Sequence, residues 1–275
     1  MLENTPILPK NGYAKAPPAK GLGWKASLFG SKREPASVPA GTRVYAIGDV
    51  HGRLDLLHEL CDLIYADCRG VDLHKVIVFV GDYIDRGRQS KGVVDFLIEA
   101  QELAKTTKRG EIICLRGNHD QSLLDFVADA AFYRSWRPYG APETLLSYGV
   151  TPPKFDDLEA LEVARREFVQ KCPPEHMRFF QNLPHSHFVG GYMFAHAGVK
   201  PGIPLDEQDP YDLLWIRDEF LASRQNFEKV VVHGHTPQDV AARRTNRIGI
   251  DTGAYATGRL SAVVLEGTEC RFLST

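Results

Sequence analysis

Six short runs of apolar, mostly β-branched residues recur along the chain, and each one ends directly in a polar turn. Such runs, bounded by turn residues, are typical of buried β-strands. Amphipathic helix patterns follow the first three turns, with apolar stripes from Leu54 to Ile64, Val93 to Ile98 and Leu123 to Val127. This alternation predicts an α/β domain with largely parallel strands in its first half. The runs are residues 44–47, 76–80, 112–115, 192–195, 230–232 and 248–250.

The turns that end these runs carry glycine, aspartate, asparagine and histidine. In open α/β sheets, binding sites form outside the carboxyl ends of the strands, so we expect these turns to meet. A single histidine after a strand is usually structural, and a single Asp-Gly pair usually marks a turn. Several such turns in one chain argue against that interpretation. The side chains that they present are Asp49, His51, Asp82, Asn118, His196 and His235.

These six side chains offer oxygen and imidazole donors and no thiolate. Such a set suits borderline-to-hard divalent cations, namely manganese, iron, zinc or magnesium. Two cations about 4 Å apart can generate hydroxide and stabilise in-line displacement at phosphorus. The residues alone therefore indicate a metal-dependent phosphoesterase. His233 is interpreted as structural, and Asp251 as either a partner of a ligand histidine or the acceptor that closes a turn with Gly253.

The motifs Asp-x-His, Gly-Asp-x-x-Asp-Arg-Gly, Arg-Gly-Asn-His, His-Ala-Gly and His-Gly-His occur in this order. They resemble those of the phosphoprotein phosphatase branch of the calcineurin-like metallophosphoesterases, especially its bacterial and phage-lambda-type serine/threonine protein phosphatases. The resemblance covers about residues 43–265. It implies a four-layered α/β/β/α sandwich with two divalent metal ions per chain, commonly manganese. It also implies that a hydroxide bridging the two ions attacks the phosphoester.

The resemblance further implies a role for each motif residue. The catalytic pair would be His119, as the general acid, and Asp85, which orients it. Phosphate would be bound by Arg86, Arg116 and Arg217. The implied ligands of the first ion are Asp49 and His51. The implied bridging carboxylate is Asp82. The implied ligands of the second ion are Asn118, His196 and His235.

Three functions remain open at this stage. The leading one is hydrolysis of phosphoserine or phosphothreonine in proteins, with phosphotyrosine as a further substrate to consider. The alternative is a symmetrical diadenosine tetraphosphate hydrolase or related nucleotide hydrolase, because Asp120 stands where protein phosphatases of this branch usually have glutamate. The intact Asp85-Arg86-Gly87 motif favours the phosphatase. A non-catalytic scaffold is disfavoured, because every ligand position is filled and His119 is present.

Charge and composition divide the chain. Residues 1–43 carry seven Lys/Arg and two acidic residues, whereas the remainder carries 26 Lys/Arg and 33 acidic residues. An acidic domain of this kind is not expected to bind nucleic acid. Residues 1–41, rich in Pro, Ala, Gly and Lys, are predicted to be a flexible tail. Within it, Leu22–Phe29 is a candidate docking element for a partner or a membrane surface, although a tail that merely carries some apolar residues is favoured.

Residues 42–275 are predicted to form the catalytic domain, interrupted at about 130–190 by a mostly helical insertion. Its aromatic patch, which includes Trp136 and Tyr139, is interpreted as packing rather than as a substrate cradle.

The five cysteines are odd in number and form no Cys-x-x-Cys pair, so we expect reduced thiols. No run is apolar enough for stable membrane insertion or for a secretory signal, so a cytoplasmic protein is expected.

Overall fold

The structure is a computed structural model that describes residues 35–108, 110–154 and 157–275. The candidate docking element at Leu22–Phe29 lies outside these residues. Ten strands are described: β1 Thr42–Ile47, β2 His74–Phe79, β3 Glu111–Cys114, β4 Ser186–Val189, β5 Tyr192–Ala195, β6 Val230–His233, β7 Ala242–Arg243, β8 Arg247–Gly249, β9 Ser261–Glu266 and β10 Glu269–Ser274.

The described helices follow the predicted stripes and fill the insertion. They are α1 Leu54–Cys68, α2 Ser90–Thr107, α3 Asn118–Ala128, α4 Tyr133–Trp136, α5 Ala141–Ser147, α6 Leu158–Lys171, α7 Pro174–Asn182, α8 Pro210–Trp215, α9 Asp218–Leu221 and α10 Ala254–Thr257. Two short 3₁₀ helices, Ala130–Phe132 and Arg137–Tyr139, flank α4.

The strands form two five-stranded sheets, in the orders β10-β9-β1-β2-β3 and β4-β5-β6-β8-β7. Strands β1, β2 and β3 are parallel, with Val44 opposite Val76 and Val76 opposite Glu111. Strands β5, β6 and β8 form a second parallel set. These six parallel strands are the six apolar runs of the sequence. The sequence predicted parallel strands mainly in the first half, so the second parallel set is an addition.

The side chains of β1 show how the layers are built. Val44 and Ala46 point into an apolar core that also contains Phe194 and Val232 of the second sheet. Tyr45, which lies between these two residues in the strand, points to the opposite face of the sheet. It packs in the core shared with α1, α2 and the insertion helices. The outer face of the second sheet is covered by a third core, which includes Leu213 and Phe220 of α8 and α9. The predicted α/β/β/α sandwich is confirmed.

Two boundaries differ from the sequence-based expectation. Val38 is only 4% exposed and packs in the core between the sheets, and its amide donates to the carbonyl of Gly267 at 3.0 Å. Val38 therefore packs with the folded domain, although it precedes residue 42, where the sequence analysis places the start of the catalytic domain. The helical part of the insertion ends at Asn182, and β4 begins at Ser186 as an edge strand.

The described residues include no helix that is long and apolar enough to cross a bilayer. All five cysteines are free thiols, as expected from their number and spacing.

Candidate dinuclear metal centre

The six predicted ligand side chains meet at the carboxyl ends of the parallel strands of both sheets, and each is 6% exposed or less. Ligand atoms of two groups lie within 4.8 Å of one another: His51, Asp82 and His119 form the first group, and Asp82, His196 and His235 form the second. Asp82 belongs to both groups. A carboxylate shared in this way is suited to bridging two cations.

The second group has the geometry of a cation site. Asn118 Oδ1 lies 2.8 Å from His196 Nε2 and 2.8 Å from His235 Nδ1, and these two nitrogens are 3.2 Å apart. Ligands that bind one cation at about 2.1 Å and at right angles to each other are about 3 Å apart. Asp82 Oδ2 lies 3.5 Å from His196 Nε2. The donors therefore fit one divalent ion beside the shared carboxylate.

The first group is built around His51, whose Nε2 lies 3.5 Å from Asp82 Oδ2. The carboxylate of Asp49 accepts a hydrogen bond from the backbone amide of His235 at 3.0 Å, so Asp49 lies at the junction of the two sheets. Glycine gives the carboxylates room: a Cβ at Gly117 would lie 2.1 Å from Asp82 Oδ1, and a Cβ at Gly234 would lie 2.0 Å from Asp49 Oδ1.

Hydrogen bonds to backbone carbonyls orient two of the imidazoles. His51 Nδ1–H donates to the carbonyl of Ile84 at 2.8 Å, and His196 Nδ1–H donates to the carbonyl of Val80 at 3.0 Å. Each bond leaves the Nε2 lone pair directed at Asp82. Partners of this kind usually fix the tautomer of a metal-binding histidine.

The electrostatics of the cluster suit divalent cations. Burial lowers the pKa of His51 to about 3, and it also lowers the pKa of His196 and of His235, so all three are neutral donors at neutral pH. Burial, with the nearby carboxylates of Asp251 and Asp82, raises the pKa of Asp49 well above its usual value. A bound cation would reverse that shift by favouring the ionised carboxylate.

His119 differs from the neighbouring His51, although their ring centroids are only 4.7 Å apart. His119 Nδ1 lies 2.5 Å from Asp85 Oδ2, and its Nε2 lies 3.9 Å from Asp82 Oδ2. Burial alone lowers the pKa of His119, but the charge of Asp82 and the hydrogen bond to Asp85 outweigh it, so the net shift is upward. Opposite shifts in adjacent imidazoles suit a metal ligand and a proton donor.

Backbone strain is concentrated at this site. Non-glycine residues rarely adopt positive φ, and each such position costs about 1–3 kcal/mol unless its surroundings enforce it. In the described part of the chain six non-glycine residues have positive φ, and five of them are residues of the predicted motifs. These five are His51, Asp82, Asp85, Arg86 and His235.

Two of the three predicted phosphate-binding arginines lie beside the cluster. The Arg86 guanidinium stacks 4.5 Å from the ring centroid of Tyr255, and its buried Nε has no hydrogen-bond partner among the described residues. Arg217 lies near the second group, where its Nη1 is 3.4 Å from the carbonyl of His235 and 3.3 Å from Thr236 Oγ1.

Arg116 has partners that the sequence did not predict. Its guanidinium donates to Gln121 Oε1 at 3.0 Å and to the carbonyls of Phe180 and Gln181, each at 2.9 Å. These carbonyls lie at the carboxyl end of α7, where a cation is favourable. The contacts give Arg116 a structural role and do not support its assignment as a phosphate ligand, which stays a prediction.

The sequence did not reveal the role of Asp120. Its carboxylate accepts hydrogen bonds from the backbone amides of Gly117 at 2.8 Å, Asp82 at 2.9 Å and Tyr83 at 3.2 Å. Burial, together with the charge of Asp82, raises the pKa of Asp120 to about 7. Asp120 thus fastens two ligand-bearing loops to each other, and its fully buried side chain is not positioned to read a substrate.

The helical insertion supplies two further contacts that the sequence did not indicate. Trp136 Nε1 donates to Asp85 Oδ2 at 2.6 Å, and Thr144 Oγ1 donates to Asp85 Oδ1 at 2.5 Å. The aromatic patch was interpreted as packing, and Trp136 does pack on Phe126 with ring centroids 5.5 Å apart. It also has a polar role, which only the folded arrangement shows.

The two remaining polar motif residues have local roles. His233 Nδ1–H donates to the carbonyl of Gly234 at 3.1 Å, and its ring packs on Phe220 with centroids 5.0 Å apart. Asp251 accepts from the amide of Gly253 at 2.8 Å, which is the turn-closing alternative of the sequence analysis.

The α/β/β/α sandwich, with a shared carboxylate between two donor groups at its strand ends, defines a hydrolase of the metallophosphoesterase class. The sequence profile of the calcineurin-like phosphoesterase family matches residues 42–263. The chain belongs to this family, which confirms the resemblance seen in the motifs.

Curated relatives carry two different names. The chain is 26% identical to the asymmetrical bis(5′-nucleosyl)-tetraphosphatase PrpE of Bacillus subtilis, over 78% of this chain and 87% of the relative. It is 27% identical to serine/threonine-protein phosphatase 1 of Salmonella typhimurium, over 79% of this chain and 89% of the relative.

A solved structure of similar fold is that of the cold-active protein-tyrosine phosphatase of a psychrophilic Shewanella species. It has a TM-score of 0.53 and 16% sequence identity, and the match covers 86% of this chain and 83% of that chain. This likeness shows the fold alone. Family membership makes the protein a phosphoesterase, and the names of the two curated relatives refer to different substrate classes.

Proposed function

We propose that the protein is a phosphomonoesterase that uses two divalent metal ions, with manganese as the first choice, to hydrolyse phosphoserine and phosphothreonine in proteins. The observation that carries this proposal is the pair formed by His119 and Asp85, whose Nδ1 and Oδ2 atoms are 2.5 Å apart. The buried Asp85 holds His119 in one orientation, with its Nε2 directed towards the shared Asp82.

The leaving group explains why this pair matters. The alkoxide of serine or threonine is a poor leaving group, and a proton delivered as the P–O bond breaks stabilises it. A phosphoanhydride releases a much weaker base, which depends less on an acid. A buried, carboxylate-oriented imidazole therefore supports a phosphomonoester substrate with an aliphatic alcohol.

The charge of the substrate explains the proposed roles of the arginines and of the metal ligands. Buried carboxylates repel a phosphate dianion, so positive groups must compensate. Arg86 and Arg217 are the candidates, because both guanidiniums lie beside the donor groups. The six residues Asp49, His51, Asp82, Asn118, His196 and His235 would hold the two ions, which when bound supply an activated water and neutralise charge on the phosphoryl oxygens.

A dinucleoside polyphosphate substrate is the second candidate, and two exposed aromatic rings favour it. The ring of Tyr139 lies 6.3 Å from that of His119, and the ring of Tyr255 lies 5.5 Å from that of His51, measured between centroids. Such rings can stack on a nucleobase. The relative in Bacillus subtilis supports this candidate, and that in Salmonella typhimurium supports the first. Asp120 supports neither, because its carboxylate is buried against backbone amides.

The test is turnover of a phosphoserine peptide and of diadenosine tetraphosphate by metal-reconstituted protein. We expect faster cleavage of the peptide, and His119→Asn should reduce it by about 10²–10⁴-fold while metal content is unchanged. Much faster cleavage of the nucleotide would replace the first candidate by the second. Metal-loaded protein that hydrolyses neither substrate nor p-nitrophenyl phosphate would contradict an enzymatic function and support a scaffold.

A further inference from the structure

The carboxylate of Asp85 is held by residues from a different part of the chain. It is fully buried, and besides His119 it accepts hydrogen bonds from Trp136 and Thr144, which are 51 and 59 residues further along the sequence. A buried carboxylate requires such donors, because an unpaired charge there is very costly. The helical insertion thus completes the environment of the residue that orients His119.

The same contact also fixes the backbone of the turn. The amide of Asp85 donates to Thr144 Oγ1 at 2.9 Å and to Ser90 Oγ at 3.1 Å. Asp85 and Arg86 have φ values of 72° and 66°, which non-glycine residues adopt only when their surroundings enforce it. Thr144 therefore holds both the side chain and the strained backbone of Asp85.

We propose that Trp136 and Thr144 are positioning residues for proton delivery by His119, acting through the carboxylate of Asp85. This inference rests on the proposed function, because it assumes that His119 protonates the leaving group. Each oxygen of Asp85 has one donor from the insertion, so the carboxylate cannot rotate without breaking a charge-assisted hydrogen bond. With the carboxylate fixed, His119 Nδ1–H has a single acceptor. The imidazole then keeps one orientation, in which its Nε2 is directed towards Asp82.

Leaving-group dependence separates this role from general support of the fold. A misplaced acid slows the release of an alkoxide far more than the release of p-nitrophenolate, which needs little protonation. Damage to the metal centre or to folding would slow both reactions equally. The comparison therefore uses a phosphoserine peptide and p-nitrophenyl phosphate on the same preparation of each variant.

The variants remove one donor at a time from the full-length, metal-loaded protein. Trp136→Phe keeps an aromatic ring and removes the N–H, and Thr144→Val keeps the shape and removes the hydroxyl. Thr144→Ser restores the hydroxyl. Tyr133→Phe is the matched control, because Tyr133 is a buried aromatic residue of the same short helix whose hydroxyl has no hydrogen-bond partner among the described residues.

For Trp136→Phe and Thr144→Val we expect kcat on the peptide to fall about tenfold or more, the scale of a hydrogen bond to a charged group. We expect the p-nitrophenyl phosphate rate, the KM values and the metal content to change little. Thr144→Ser should recover most of the peptide activity, and Tyr133→Phe should behave as wild type. If Trp136→Phe does not fold, judged by circular dichroism, the two Thr144 variants decide.

Three results would overturn the inference: equal losses on both substrates, no loss on the peptide, or a Thr144→Ser variant as impaired as Thr144→Val. A wild-type protein that is active while these selective losses are missing would contradict only the positioning role. A wild-type protein that cleaves no phosphomonoester would contradict the proposed function itself.

Discussion

Replacing Gly140 by alanine should reduce turnover about 10²-fold, although Gly140 offers no side chain to the chemistry. A Cβ at this position would lie 2.3 Å from the backbone nitrogen of Arg86 and 2.8 Å from Asp85 Cβ. The closer distance is about 1 Å shorter than an ordinary van der Waals contact, so the insertion must move by about that amount. Misplacement of catalytic groups by 1 Å can cost about 10²-fold in rate.

Gly140 lies midway between the two donors to Asp85, four residues after Trp136 and four before Thr144. Displacement at this point therefore moves both donors away from the carboxylate. The assay is kcat and KM on a phosphoserine peptide and on p-nitrophenyl phosphate at saturating metal, with the free energy of unfolding from chemical denaturation. Positive φ alone, +113° at Gly140, should lower that free energy by about 1–2 kcal/mol.

Gly149→Ala is the matched control. Gly149 also lies in the insertion and has φ of +74°, but the nearest atom to its Cβ would be Lys171 Nζ at 3.9 Å. The control should therefore lose about 1–2 kcal/mol of stability and keep full turnover. A folded Gly140→Ala variant with wild-type turnover, or a Gly149→Ala variant that is equally inactive, would refute the reasoning.

Three further predictions concern single side chains. Asp82→Asn should lower metal content at both sites, measured by atomic emission, and near-normal content would contradict the bridging role. Arg86→Met should lower kcat/KM for phosphomonoesters about 10–100-fold, whereas Arg88→Met, an exposed neighbour, should not. Burial lowers the pKa of His176 below about 6.5, so its stabilising contribution is present above that pH and is lost as pH falls through the folded pKa. The stability difference between wild type and His176→Gln should therefore shrink as the pH falls below about 6.5, measured by denaturation.

The sequence predicted six strands, with the first three parallel, and the meeting of their turns, because these features depend on local patterns. An apolar run such as Val230–Val232 identifies a buried strand by itself, and the polar residues after it must lie at the end of that strand. The rule that strand ends of α/β sheets form sites then brings distant motifs together without any knowledge of the packing.

The sequence could not predict where Arg116 points or what holds Asp85, because both depend on partners far along the chain. Arg116 turns to carbonyls 64 and 65 residues away, at the end of a helix whose position no local pattern specifies. The residues next to Trp136 in the sequence indicate only an ordinary core position. Its polar role appears only when the insertion folds back onto the turn at Asp85.

Two hydrogen bonds of the candidate metal centre join the two sheets. His196 follows β5 of the second sheet and donates to the carbonyl of Val80, which follows β2 of the first. Asp49 follows β1 of the first sheet and accepts from the amide of His235, which follows β6 of the second. A ligand that binds only the folded form of a protein stabilises that form. Because the donor groups are assembled only when the sheets pack, the free energy of metal binding becomes part of the free energy of folding. The second donor group contains Asp82 from the first sheet and His196 and His235 from the second sheet. An ion bound to this group would therefore connect the two sheets at the ends of their strands. Loss of sheet packing and loss of metal affinity should therefore occur together.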